Sequence, residues 1–228
     1  MDSFIQLINA VYSDLTASEE SDLYNLTAVK LAVNRAYQKA GSLFKWPKTQ
    51  SAQTTDTQTN IDYYDVPDNW KPDSAWKLTV DGIDYGKPVL FEDYLKFKED
   101  YPTSKEKKWS QQANRVFISP TPSAVGVDNI SIFGFESIDW LTNDEEETIF
   151  SHNMRDCNDA IVQEAVAIMK AKADDTNTSI FRSTAAKSIL ATAWIKIQQG
   201  QMHKRRDQPM FKVPDFFGGN VRYIPEND

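Results

Sequence analysis

Apolar side chains recur at helical spacing near both ends of this 228-residue chain, and at alternate positions through its middle. Phe4, Ile5, Leu7, Ile8, Val11, Tyr12 and Leu15 form one helical stripe. Ser18 and Ser21 offer N-caps for a second helix, with Asp22 near its positive end. That helix carries Leu23, Leu26, Val29, Leu31, Val33, Ala36 and Tyr37 and is expected to run to about Ala40, with Gly41 as its stop. The short link predicts an antiparallel helix pair. Residues 48–60 are polar and rich in Thr and Gln, and read as a loop or an exposed strand that connects rather than builds a core.

The pattern then changes to strands. Ile61–Val66 ends at Pro67-Asp68, and Ala75–Val80 alternates into Asp81-Gly82, a hairpin signal, with Ile83-Asp84-Tyr85 returning. Pro88–Tyr101 reads as a short helix closed by Pro102, and Thr103–Ser110 as a charged excursion. Arg115–Pro120 and Asn129–Phe135 complete four or five strands, expected to form one small antiparallel sheet.

Helical spacing resumes after an acidic run. Asn143-Asp144-Glu145-Glu146-Glu147 suits the positive end of a helix starting near Thr148 or Ser151, with Ile149, Met154, Cys157, Ile161, Val162, Ala165, Ile168 and Met169 on its apolar face. Asp174–Thr178 is a polar turn; Ile180, Phe181, Ala185, Ile189, Ala193, Trp194 and Ile197 then carry a last helix to Gly200. Beyond it the pattern fails. Pro209, Pro214, Pro225 and Gly218-Gly219 oppose a long helix or central strand, yet Met210, Phe211, Val213, Phe216, Phe217, Tyr223 and Ile224 are too apolar for an ordinary disordered tail. Such an arm is expected to be covered by another chain, the alternative being that it folds back over its own domain.

Charge divides the chain. Residues 1–154 hold 14 Lys and Arg against 24 Asp and Glu, whereas residues 155–228 hold 11 against 9. The acidic body repels nucleic acid at long range, so the Lys204-Arg205-Arg206 cluster is read as facing an acidic protein surface rather than phosphate. No apolar run is long enough for a membrane span, and residues 1–20 lack a signal-peptide pattern. A single cysteine excludes an internal disulfide and a cysteine metal cage, which fits a reducing cytoplasm.

Candidate chemistry is sparse. His152 and Asp156 have helical i,i+4 spacing without a third ligand, and His203 stands apart, so no metal or cofactor is expected. Cys157 reads as a small core residue. Phosphate-loop, dinucleotide, zincin and serine-hydrolase motifs are absent, and nothing in the spacing singles out a carboxylate pair. The chain therefore reads as a non-enzyme. Tyr63, Tyr64, Trp70, Trp76 and Trp109 could form a base-stacking platform, but Lys71 and Lys77 stand there among six aspartates, favouring sheet and interface packing.

Tyr64-Asp65-Val66-Pro67-Asp68-Asn69-Trp70, the Leu78–Ile83 hairpin and Phe91-Glu92-Asp93-Tyr94 together resemble the middle of tailed-phage head-tail adaptor proteins. Arg115–Pro122, the Ile130–Phe135 strand and the acidic stretch before a long helix pair extend the resemblance over residues 20–200. The resemblance implies a ring, typically of twelve copies, below the portal protein in the virion neck. The ring would be assembled in host cytoplasm and docked by a downstream tail or nozzle protein. Packaged DNA would pass through without sequence-specific binding, and no membrane is involved. It also implies that the arm reaches the portal, with Lys204, Arg205, Arg206, Met210, Phe211, Phe216 and Phe217 as docking residues. The expected fold is α+β and mostly helical, an antiparallel helical bundle with a small antiparallel β-sheet insertion and an extended C-terminal arm. Its expected parts are a helix pair (1–47), a β-rich insertion with one short helix (48–142), a second helix pair (143–200) and the arm (201–228). A cell-wall hydrolase and a nucleic-acid-binding module are the alternatives.

Overall fold

The computed structural model describes residues 3–16, 23–150 and 154–206, the last six by backbone alone. Helix α1 (Phe4–Leu15) buries Phe4, Leu7, Ile8, Val11, Tyr12 and Leu15, the stripe its spacing predicts. Helix α2 (Leu26–Leu43) starts later than expected because Asn25 caps it, its side-chain oxygen accepting from the Ala28 N–H at 2.9 Å. Ser18, Ser21 and Asp22 lie outside the described residues, and Leu23 is exposed.

The middle holds strands β1 (Gln50–Thr57), β2 (Tyr63–Asp65), β3 (Lys77–Val80) and β4 (Ile83–Asp84), then helix α3 (Phe91–Asp100) and strands β5 (Lys108–Gln112), β6 (Arg115–Ser119) and β7 (Gly126–Phe135). They form two antiparallel sheets, ordered β1-β7-β3-β4 and β2-β6-β5, rather than one. Two segments explain the difference. Of the two readings of the polar 48–60 stretch the exposed strand holds: it supplies β1, which pairs with β7 from Gln50↔Phe135 to Thr55↔Ile130 and buries Thr57. The charged 103–110 excursion ends in β5, where Trp109 pairs with Ile118 and is fully buried. Leu78, Val80, Ile130 and Ile132 from one sheet and Tyr64, Trp109, Val116 and Ile118 from the other share a core. The hairpin is as predicted: Asp81 and Gly82 adopt φ of 53° and 73° between β3 and β4, a turn that glycine accommodates without a Cβ penalty.

Helices α4 (Arg155–Lys172) and α5 (Thr176–Arg206) join α1 and α2 around a second core containing Val29, Val33, Cys157, Ile161, Ala165, Met169, Ala186 and Leu190. The chain is thus mixed α+β, with its two early and two late helices in one core and the strands between them in sequence.

Three further expectations change. Helix α2 passes through Gly41 instead of stopping there; a Cβ at Gly41 would lie 1.9 Å from Ile138 Cδ1, so close packing requires the glycine. Helix α4 begins at Arg155, not near Thr148 or Ser151, because the Thr148 hydroxyl bonds Asn158 at 2.7 Å and Phe150 packs into the core. The acidic run does meet a helix N-terminus, but that of α1: Phe4 and Ile5 donate their N–H groups to the carbonyls of Glu146 and Asp144. Glu146 itself accepts from the Thr142 and Asn143 N–H groups, which hold its carboxyl below the usual range.

Gly41→Ala is expected to lower stability by about 1–3 kcal/mol through overpacking against Ile138, although alanine is the better helix former. Asn25→Ala is expected to cost about 1 kcal/mol through the lost cap. Chemical denaturation midpoints of the two variants check both figures.

Candidate docking site

Of the expected docking residues, Lys204, Arg205 and Arg206 fall at the far end of α5. Helical backbone continues through Gly200 and the Lys204-Arg205-Arg206 cluster to Arg206, so residues 201–206, expected in the arm, belong to α5. One glycine without a following proline is a modest helix penalty of about 1 kcal/mol, too small to end a helix of this length. Met210, Phe211, Phe216 and Phe217 lie outside the described residues. His152 does too, while Asp156 pairs with Lys196 at 3.3 Å. Among the described residues no three His, Cys, Asp or Glu side chains converge.

Helix α5 presents apolar groups on more than one face. Ala186, Leu190 and Ala193 enter the shared core, whereas Ile180, Phe181 and Ile195 stand more than half exposed. Phe181 and Ile195 are fourteen residues apart, close to four turns, and so share a side of the helix. The buried stripe is rotated away from Ile180 and Phe181.

Near the middle of α5, Trp194 meets the end of α2. Its ring stacks on Phe44 at 5.3 Å and 11°, and stands edge-on to Trp46 at 5.6 Å. Trp46 also meets Phe150 at 5.0 Å and donates its indole N–H to the Ala40 carbonyl at 2.9 Å. Beside this cluster opens a groove of about 620 Å³ between α2, α5 and the residues after β7, with Leu43, Phe44, Ile138 and Trp194 among its apolar walls.

Two lysines also line the groove. Lys71 donates to the Gly41 and Phe44 carbonyls at 2.5 and 2.7 Å, taking up acceptors that the end of α2 leaves free. Burial, with Lys45 alongside, pushes its ammonium down to about 8. Lys45 reaches the Asp73 carbonyl at 3.3 Å. No salt bridge to either ammonium occurs among the described residues. Nothing in the sequence pattern marked this groove, because its walls come from residues 38–45, 71–72, 137–138 and 194, segments tens of residues apart.

The aromatic set in the strands divides. Tyr64, Trp70 and Trp109 are buried, whereas Tyr63 and Trp76 are partly exposed, Tyr63 with Arg115 4.9 Å from its ring centre. With three of five members in the core, the set offers no continuous stacking surface. Cys157 is fully buried in the helical core, and burial pushes its thiol up to about 12.

No protein-family profile matches this chain, and no characterised protein matches it in sequence. Among the described residues no helix is long and apolar enough to cross a membrane.

Cys157 should resist thiol-specific labelling in the native protein and react only on unfolding, as followed by absorbance with and without denaturant. Its raised folded-state value adds stability that is complete below about pH 9 and declines as pH rises toward about 12, because only the unfolded thiol ionises in that window.

Proposed function

We propose that this chain is a structural subunit of a phage head-tail adaptor: a helical-bundle protomer with an inserted β part, repeated about a ring between portal and tail. The reading assigns it no catalytic step; attachment is its activity. The observation that carries the reading is α5. One side of this 31-residue helix enters the core shared with α1, α2 and α4, while Ile180, Phe181 and Ile195 remain open on the surface. A ring protomer needs apolar lateral faces beyond those that fold it, and exposed groups of this size call for a covering neighbour.

Other features fit the same role. Over residues 20–200 the order of one early helix, strands and a late helix pair is that of the resemblance. The acidic body would line a passage that repels DNA without holding it. In sequence, Lys204, Arg205 and Arg206 come shortly before the aromatic residues Phe211, Phe216 and Phe217, a combination suited to an acidic, apolar-pocketed portal surface. Ordering the arm there costs about 1–2 kcal/mol per residue in backbone entropy. Burial of its aromatics returns about 1.5–3 kcal/mol each, so repetition around the ring would supply the remainder.

The mass of the purified protein, measured alone and with a portal ring of the same phage, tests the reading. The expected result is a monomer that converts to a saturating ring on the portal; a chain that ignores the portal would overturn it. Phe181→Asp should change monomer stability by less than about 0.5 kcal/mol, as surface substitutions do, yet block ring closure. A chain ending after Arg206 should fold and fail to attach.

A further inference from the structure

The groove beside Trp194 combines features that select its occupant. Phe44 and Trp194 present aromatic and apolar surface, and Leu43 is 43% exposed at the rim. Lys45 and Lys71 add two neighbouring cations that no described carboxylate pairs with in a salt bridge. Such a site calls for a carboxylate carried next to aromatic rings. Beyond Arg206 the chain itself contains that arrangement, as Asp215-Phe216-Phe217.

Reach is sufficient. From Trp194 to Arg206 the helix rises about 18 Å, and the nine residues Asp207–Asp215 can span up to about 30 Å when extended. Pro209 and Pro214 favour an extended return. A segment tethered this closely sees its site at millimolar effective concentration, so even weak contacts hold it there.

We propose that in the unassembled protein the chain's own Asp215-Phe216-Phe217 segment occupies this groove, with Phe216 and Phe217 against Phe44 and Trp194 and with Asp215 between Lys45 and Lys71. The inference does not depend on the adaptor reading. Within that reading it gives the arm a resting place, so that the residues proposed to meet the portal are covered until the portal competes for them.

The test uses full-length protein. In a Leu43→Cys, Phe216→Cys double variant, mild oxidation should give an intramolecular disulfide, seen as a monomer of altered mobility. Adding Lys45→Glu should slow its formation. Disulfide-linked dimers would place the segment on a neighbouring copy and overturn the proposal, as would the absence of cross-linking. In parallel, a labelled peptide of residues 207–221 is titrated against full-length protein and against an Asp215→Ala, Phe216→Ala, Phe217→Ala variant. It should bind the variant at least about tenfold more tightly, because the intact chain covers its own groove. Equal affinities, or binding to neither, would overturn it. Neither readout involves the portal, so failure here leaves the attachment experiment intact, and the converse holds.

Discussion

The fold converges on the last turn of α2. Trp46 lies fully buried just beyond it, edge-on to Phe44, Phe150 and Trp194, while its indole N–H closes on the Ala40 carbonyl. These rings come from α2's exit, the approach to α4 and the middle of α5, so one cluster joins the early and late helices. Aromatic pairs of this geometry contribute about 0.5–1.5 kcal/mol each beyond the area they bury. Two contacts from the β region meet the same turn. Ile138 packs against the space that Gly41 leaves open, and Lys71 binds the carbonyls of Gly41 and Phe44. The sheets and the helices are therefore coupled at one place, and the groove proposed to hold the C-terminal segment lies on that seam.

Polar contacts return the chain to the helices after about ninety residues of strands and loops. Buried Asn34 both donates to the Leu141 carbonyl and accepts from its N–H, at 3.0 and 2.8 Å, as a neighbouring strand would. Tyr37 takes the Ile149 N–H at 3.0 Å, and the carbonyls of Asp144 and Glu146 receive the first N–H groups of α1. Each of these backbone groups would be costly to bury unpaired, so the bonds specify where the segment lies as well as holding it. Between helices, Lys39 pairs with Glu164, and Arg182 bridges Asp14 and Gln163 at 2.8 and 2.6 Å. The Arg182 contacts tie α5 to α1 and α4, with its outer apolar groups facing away from the core.

Local pattern was a sound guide wherever one element buried one face. The stripe of α1, the Asp81-Gly82 turn, β6 and β7, the short helix before Pro102 and the core position of Cys157 are all readable from spacing and residue type. It failed where a partner distant in sequence supplied the reason for structure. Residues 50–57 fit a loop or an exposed strand by pattern, and only the ladder that β7 offers decides for the strand. Lys108–Gln112 follows a charged run, yet Trp109 is drawn into the core between the sheets. Gly41 resembles a helix stop and instead permits a close approach by Ile138.

By itself the sequence determined the class of the protein: an α+β chain with early and late helices, strands between them and a basic, aromatic end. Those features follow from periodicity, turn chemistry and charge, which act over a few residues. Tertiary structure alone decided that the strands divide into two sheets, that the acidic run serves α1, and that α5 continues past Gly200 with part of its apolar surface open. It also decided that Lys45, Lys71, Phe44 and Trp194 meet around one groove. Such outcomes depend on contacts between segments tens of residues apart, and local spacing carries no record of those distances.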